Sequence, residues 1–113
     1  METPVMPCHI GCYAFATGQD VAHDPRYGWI VRDGDMGAEV PDFPDDRWLS
    51  ECLVGVTERH GWEVKTRYQK GFVVILRANL GMGEAVGQGD GPDLPSALCA
   101  AIAKAREVGN GNL

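Results

Sequence analysis

At 113 residues the chain has room for one core and not for two, and an apolar fraction of 44% excludes wholesale disorder. No stretch approaches the roughly 18 apolar residues of a membrane span, and residues 1–7 lack the basic start and apolar run of a secretory signal, so the expected setting is the cytoplasm. A net charge of −6, from 10 basic and 16 acidic residues, argues against non-specific binding to nucleic acid or anionic membrane.

Residues 1–26 show no sustained periodicity and read as an irregular segment packed on the domain. Within them Cys12-Tyr13-Ala14-Phe15-Ala16 has the composition of a short strand ended by Thr17-Gly18, and 19–25 is polar and turn-like. Residues 27–32, rich in Tyr, Trp, Ile and Val, predict a strand; an Asp33-Gly34-Asp35 turn follows, from which 38–40 pairs back. In Pro41-Asp42-Phe43-Pro44-Asp45-Asp46, two prolines hold the chain extended. Asp45 or Asp46 can cap a helix there, and Phe43 can staple its first turn. The helix that follows carries Leu49, Cys52, Leu53, Val56 and His60 on one stripe, and Gly61 stops it. Trp29, Trp48 and Trp62 read as core or rim aromatics; of the three, Trp48 falls beside that stripe and is the best candidate for a protein contact.

Residues 62–68 alternate, with Trp62, Val64, Thr66 and Tyr68 on one face and Glu63, Lys65 and Arg67 on the other. After a Gln69-Lys70-Gly71 hairpin, Phe72-Val73-Val74-Ile75-Leu76 is apolar on both faces. This predicts a central strand with a second cover over Val73 and Ile75, supplied by the N-terminal 40 residues or by a second subunit. Residues 79–83 form a turn, and 84–88 a thin third strand whose glycines mark an edge or a close backbone approach. Asp93 caps the last helix, with Pro95 in its first turn and a narrow stripe of Ala97, Leu98, Ala101, Ile102 and Ala105. The result is an α+β fold: a helix–three antiparallel strands–helix sandwich over residues 27–108, N-terminal strands covering or extending the sheet, and a frayed tail at 109–113.

Several of these features together resemble a small bacteriophage and prophage family, the phage ABA sandwich domain. They are Tyr27-Gly28-Trp29, the Asp33-Gly34 turn, Pro41-Asp42-Phe43 with its helix, Gly61-Trp62, Gly83-Glu84-Ala85, and the Pro95 helix with Ala97, Ala100 and Ala101. The resemblance covers residues 27–107. It implies an α+β sandwich and a phage or prophage origin, and it brings no catalytic residues.

The residues themselves offer little chemistry. Gly81-Met82-Gly83-Glu84-Ala85-Val86-Gly87 departs from a dinucleotide fingerprint: its third glycine is one residue late and no helix opens on it. The helix–strands–helix order is similar to that of double-stranded RNA-binding domains, but Gly91-Pro92-Asp93-Leu94-Pro95-Ser96 lacks the basic cluster such a domain needs there. Cys52 and Cys99, on apolar helix stripes, read as small hydrophobes. His60 reads as a helix-end residue.

Charge is the more informative signal. Residues 1–58 hold 11 acidic and 3 basic side chains, whereas 59–77 hold five basic and one acidic. The expectation is a non-enzymatic, cofactor-free, protein-binding module of phage or prophage origin. Such a module would act as an inhibitor of a host defence system, as anti-CRISPR proteins do, by docking on a basic surface of a host or phage protein. Asp42, Asp45, Asp46, Arg47 and Trp48 are its candidate contact residues. Two alternatives stand beside it. One is a nucleic-acid-binding module using Arg59, Lys65, Arg67, Lys70 and Arg77. The other is a small zinc protein built on Cys8, His9 and Cys12, with His23, His60 or another cysteine completing the tetrahedron.

Overall fold

The computed structural model describes residues 5–33, 36–78 and 82–111. Helix α1 (Cys8–Thr17) leads into a meander of β1 (Asp20–Asp24), β2 (Gly28–Asp33) and β3 (Met36–Glu39). Helix α2 (Asp46–Val54) continues into one π-helical turn, Gly55–Arg59. A second meander, β4 (Glu63–Tyr68), β5 (Phe72–Arg77) and β6 (Ala85–Gly91), precedes α3 (Leu94–Gly111). The fold is α+β, with two three-stranded antiparallel sheets and three helices.

The second sheet and α3 form the tightest unit. Pairing of Thr66 with Val74 and of Val74 with Gly89 sets Val64, Val74, Leu76, Gly87 and Gly89 on one face. Helix α3 lies on that face, over β5 and β6. A Cβ on Gly87 or Gly89 would run into the backbone of Ala101, so only glycine lets helix and strand approach this closely. Both expectations for the thin strand hold: it is an edge and a close approach. Ala97, Leu98, Ala101, Ile102 and Ala105 are buried as their spacing predicts. Burying each of Val74, Leu76, Leu98 and Ile102 is worth about 1.5–3 kcal/mol. Asp93 caps α3, its Oδ1 accepting from the Ser96 amide at 2.8 Å. The helix continues through Gly111, where a frayed tail is expected from residue 109.

The N-terminal segment is ordered rather than irregular. Residues Cys12 to Ala16 belong to α1 and not to a strand, because Ile10, Cys12, Tyr13 and Ala16 fall on one buried helical face. The packing of that face overrides the strand preference of Tyr13 and Phe15. Gly18, in the left-handed conformation, ends the helix with its amide bonded to the Ala14 carbonyl at 2.8 Å. Residues 20–24 are strand β1 rather than a turn, paired from Asp20↔Arg32 to Asp24↔Gly28. Their alternation is masked by polarity: Asp20, Ala22 and Asp24 share one face, and Val21 with His23 the other. The pairing of 38–40 back on the preceding strand is present as β3, whereas the turn between them, at 34–35, and most of the one at 79–83 lie outside the described residues.

These N-terminal strands form their own sheet and do not cover Val73 and Ile75, both of which remain partly exposed. Helix α1 packs on α2, α3 and β1, so the front of the chain joins the helical layer, on the other face of the second sheet. On the outer face the cross-strand neighbours of Ile75 are Lys65 and Gln88, and those of Val73 are Arg67 and Asp90.

Helix α2 begins where expected. Asp45 takes the extended cap conformation, and the Leu49 amide bonds the Asp45 carbonyl at 3.1 Å. Phe43 meets the first turn as a staple, its ring edge-on to Trp48 at 4.9 Å. The buried stripe is Trp48, Cys52 and Val56, with Leu49 and Leu53 on its flank. Trp48 is 0% exposed and its Nε1–H donates to the His9 carbonyl at 3.1 Å. Trp48 is therefore a core residue and not a contact residue, because α1 covers that side of the helix.

Candidate functional site

The front of the molecule carries an acidic, aromatic groove of about 520 Å³, lined by Tyr27, Trp29, Glu39, Asp42 and Phe43 together with His9 and Ile10. Local structure fixes each ring. Asp24 Oδ1 accepts from the Arg26 and Tyr27 amides at 2.7 and 3.1 Å, shaping the turn that presents Tyr27. Trp29 is braced edge-on by His23, its partner across β1 and β2, at 5.1 Å. Phe43 stacks on His9 at 5.0 Å.

The groove has no lysine or arginine among its lining residues. Burial pushes the His9 imidazole below its ordinary value, so it is neutral near pH 7 and adds no positive charge to the groove; Glu39 also lines a neighbouring pocket, together with Arg32 and Arg47. Asp45 and Asp46 sit exposed beside it, at the N-terminus of α2. Those two also have a structural role, since carboxylates there favour the helix dipole. Glu39, on a strand, has none. Two carboxylates beside the exposed Tyr27 ring and the half-buried Trp29 and Phe43 are suited to a guanidinium or ammonium side chain.

Of the sequence-predicted contact residues, Asp42 lines the groove and Asp45 and Asp46 flank it. Arg47 turns to Glu51, with Nε 3.1 Å from Oε2, and Trp48 is inside. Tyr27, Trp29 and Glu39 were not in that set; the Tyr27-Gly28-Trp29 run beside a turn was the available signal.

The basic residues divide. Lys65, Arg67 and Arg77 share the outer face of the second sheet, and Lys70 projects from the β4–β5 hairpin. Glu63 lies on the same face, and Asp90 pairs with Val73 there, so the cations are interleaved with carboxylates. Arg59 is not part of this face: its guanidinium lies against Gly18 at the end of α1.

In the interior, Cys8 and Cys12 are one helical turn apart on α1, with their Sγ atoms 3.9 Å apart, and Cys99 of α3 reaches to 4.0 Å from Cys8 Sγ. The three sulfurs lie within 4.8 Å of one another, with Arg106 Nη1 3.9 Å from Cys12 Sγ. Cys8 is exposed; Cys12 and Cys99 are buried. The Cys99 thiol beside it, helped by the Arg106 guanidinium, outweighs burial and pushes Cys12 down to about 6. Cys99 moves up, through that same contact with Cys12 and then burial.

His9 is not the third member of this cluster, since its ring stacks on Phe43; Cys99 takes that place. The other histidines are also engaged elsewhere. His60 stacks between Phe15 and Trp62, at 4.7 and 4.6 Å, with Nε2 2.9 Å from the Phe15 carbonyl, and His23 packs on Trp29. The sequence reading of Cys99 as a small hydrophobe caught its burial and missed its neighbours.

Compared with family models, with curated proteins and with solved structures, the chain has no significant match in any of the three.

Proposed function

We propose that this protein is a non-catalytic binding module that docks on a basic protein surface, taking a lysine or arginine side chain of its partner into the acidic, aromatic groove. The observation that carries the reading is the groove's lining: Glu39 and Asp42 stand beside Tyr27, Trp29 and Phe43 with no cation among them. A partner of this kind is a protein whose own ligand is a polyanion, such as a nucleic-acid-binding defence complex. The resemblance to phage ABA sandwich domains belongs to the same proposal, with a phage-encoded inhibitor as the biological setting. The interleaving of Lys65, Arg67 and Arg77 with Glu63 and Asp90 makes the outer sheet face a poorer match to a phosphate backbone.

The test is a pull-down from bacterial lysate at low salt, with the natural chain beside a Glu39→Lys/Asp42→Lys double variant. The expected result is a specific protein partner with the natural chain and none with the variant, with association slowed by added salt. Recovery of the same partner by both chains, or of none by either, would sink the reading.

A further inference from the structure

We infer that Cys8, Cys12 and Cys99 form a binding site for a soft divalent metal ion of the zinc class, with three thiolate ligands and a fourth position open to solvent beside Cys8. An ion about 2.3 Å from each of three thiolate sulfurs holds them about 3.8–4.0 Å apart. The Cys8–Cys12 and Cys8–Cys99 separations, 3.9 and 4.0 Å, already have that value, and the remaining edge is no longer than 4.8 Å. The sulfurs come from two helices 91 positions apart in sequence, so tertiary packing and not local spacing assembles them.

Charge selects the class of ion. Binding releases the thiol protons to solvent and leaves three negative sulfurs. A divalent ion and the Arg106 guanidinium, 3.9 Å from Cys12 Sγ, together bring the set to neutrality, whereas a monovalent ion leaves a buried negative charge. Thiolate ligands exclude calcium and magnesium, which require oxygen. Cys8 also opens α1, where the helix dipole favours anionic sulfur. The exposed Cys8 gives the ion a way in, and a water completes its coordination. Bound metal would tie α1 to α3, clamping the front of the molecule to the back.

The experiment is titration of fully reduced, full-length protein with Co²⁺, which reports thiolate coordination by a sulfur-to-metal charge-transfer band. The expected result is one ion per chain, a band that Zn²⁺ abolishes by displacement, and a rise in melting temperature with Zn²⁺. Cys8→Ser, a substitution at an exposed position that leaves the core intact, should lose both the band and the thermal shift. His9→Gln and Cys52→Ser should keep both. Absence of the band in the natural chain overturns the site, as does its loss in His9→Gln or its persistence in Cys8→Ser. Cys99→Ser, checked for folding by circular dichroism, should also lose it. A folded Cys99→Ser variant with an undiminished band would overturn the assignment of the third ligand.

Discussion

The two sheets have the same three-stranded antiparallel meander and different roles. The second presses Val74 and Leu76 against α3, with glycines at the points of closest approach, and both side chains are fully buried. The first has no fully buried residue among those of its strands whose burial is described; Val21, Trp29 and Val31 are only partly covered. A sheet that buries its face under a helix is a scaffold. One that keeps aromatic rings and carboxylates at a half-open surface is better suited to recognition, and the acidic groove lies along it.

The comparison breaks most readily through the core. Ile102→Ala should cost about 2–5 kcal/mol in chemical denaturation, whereas Val21→Ala on β1 should cost less than about 1.5 kcal/mol. Equal losses would show that the sheets carry stability alike. Trp48→Phe comes next, at about 1–3 kcal/mol, since it removes the hydrogen bond that ties α2 to the His9 carbonyl of α1 and shrinks a fully buried side chain. Because Trp48 is buried, the same substitution should leave partner capture unchanged, which separates the core residue from the contact candidate that its sequence position suggested.

A pH effect tests the joint between the helices. Burial, with the hydrogen bond to Glu51, raises the Tyr13 hydroxyl above its ordinary value, and burial likewise raises Cys52. Both groups hold their protons in the folded chain at a pH where the unfolded chain has lost them. Their stabilisation is full below the unfolded values and fades as pH rises beyond them, by about 1.4 kcal/mol per pH unit for each group. Thermal melts should therefore weaken steadily above pH 9–10, and Tyr13→Phe should flatten that slope. The smallest effect belongs to Arg47→Ala, which removes an exposed ion pair and should cost no more than about 0.5 kcal/mol.

The legible parts of the fold were those where one face is buried by a single neighbour. The α3 stripe from Ala97 to Ala105 survives intact, because α3 lies on one sheet; the facial alternation of β4 is present in the strand pairing, but of its apolar side only Val64 is partly buried, and Thr66 and Tyr68 are exposed. The α2 stripe was read one residue too narrow: Cys52 and Val56 are buried as expected, and Trp48 joins them. Leu49 and Leu53 are partly buried on its flank, while α1 covers the adjacent side and brings Trp48 into the core. Nothing in residues 46–56 alone could reveal that cover. Helix α1 was hidden by its own Tyr and Phe, and β1 by its aspartates. For Val73 and Ile75, the second cover inferred from a doubly apolar strand does not come from the described N-terminal strands, which form a separate sheet, and both side chains stay partly exposed. At the candidate sites, sequence supplied Asp42, Cys8 and Cys12. The Tyr27-Gly28-Trp29 run gave a signal for two more groove residues, but nothing local could supply Glu39, which the first sheet brings to Asp42, or Cys99, which α3 brings to α1.

The division between a scaffold sheet and a recognition sheet is tested most directly by amide and indole chemical shifts during titration with a short oligo-arginine peptide at low salt. The account predicts perturbations confined to the Trp29 indole, Tyr27, and residues 39–43, with Glu39→Lys/Asp42→Lys abolishing them and salt weakening them. Perturbations spread equally over every acidic residue, Asp90 and Glu107 included, would contradict it, as would none at the groove.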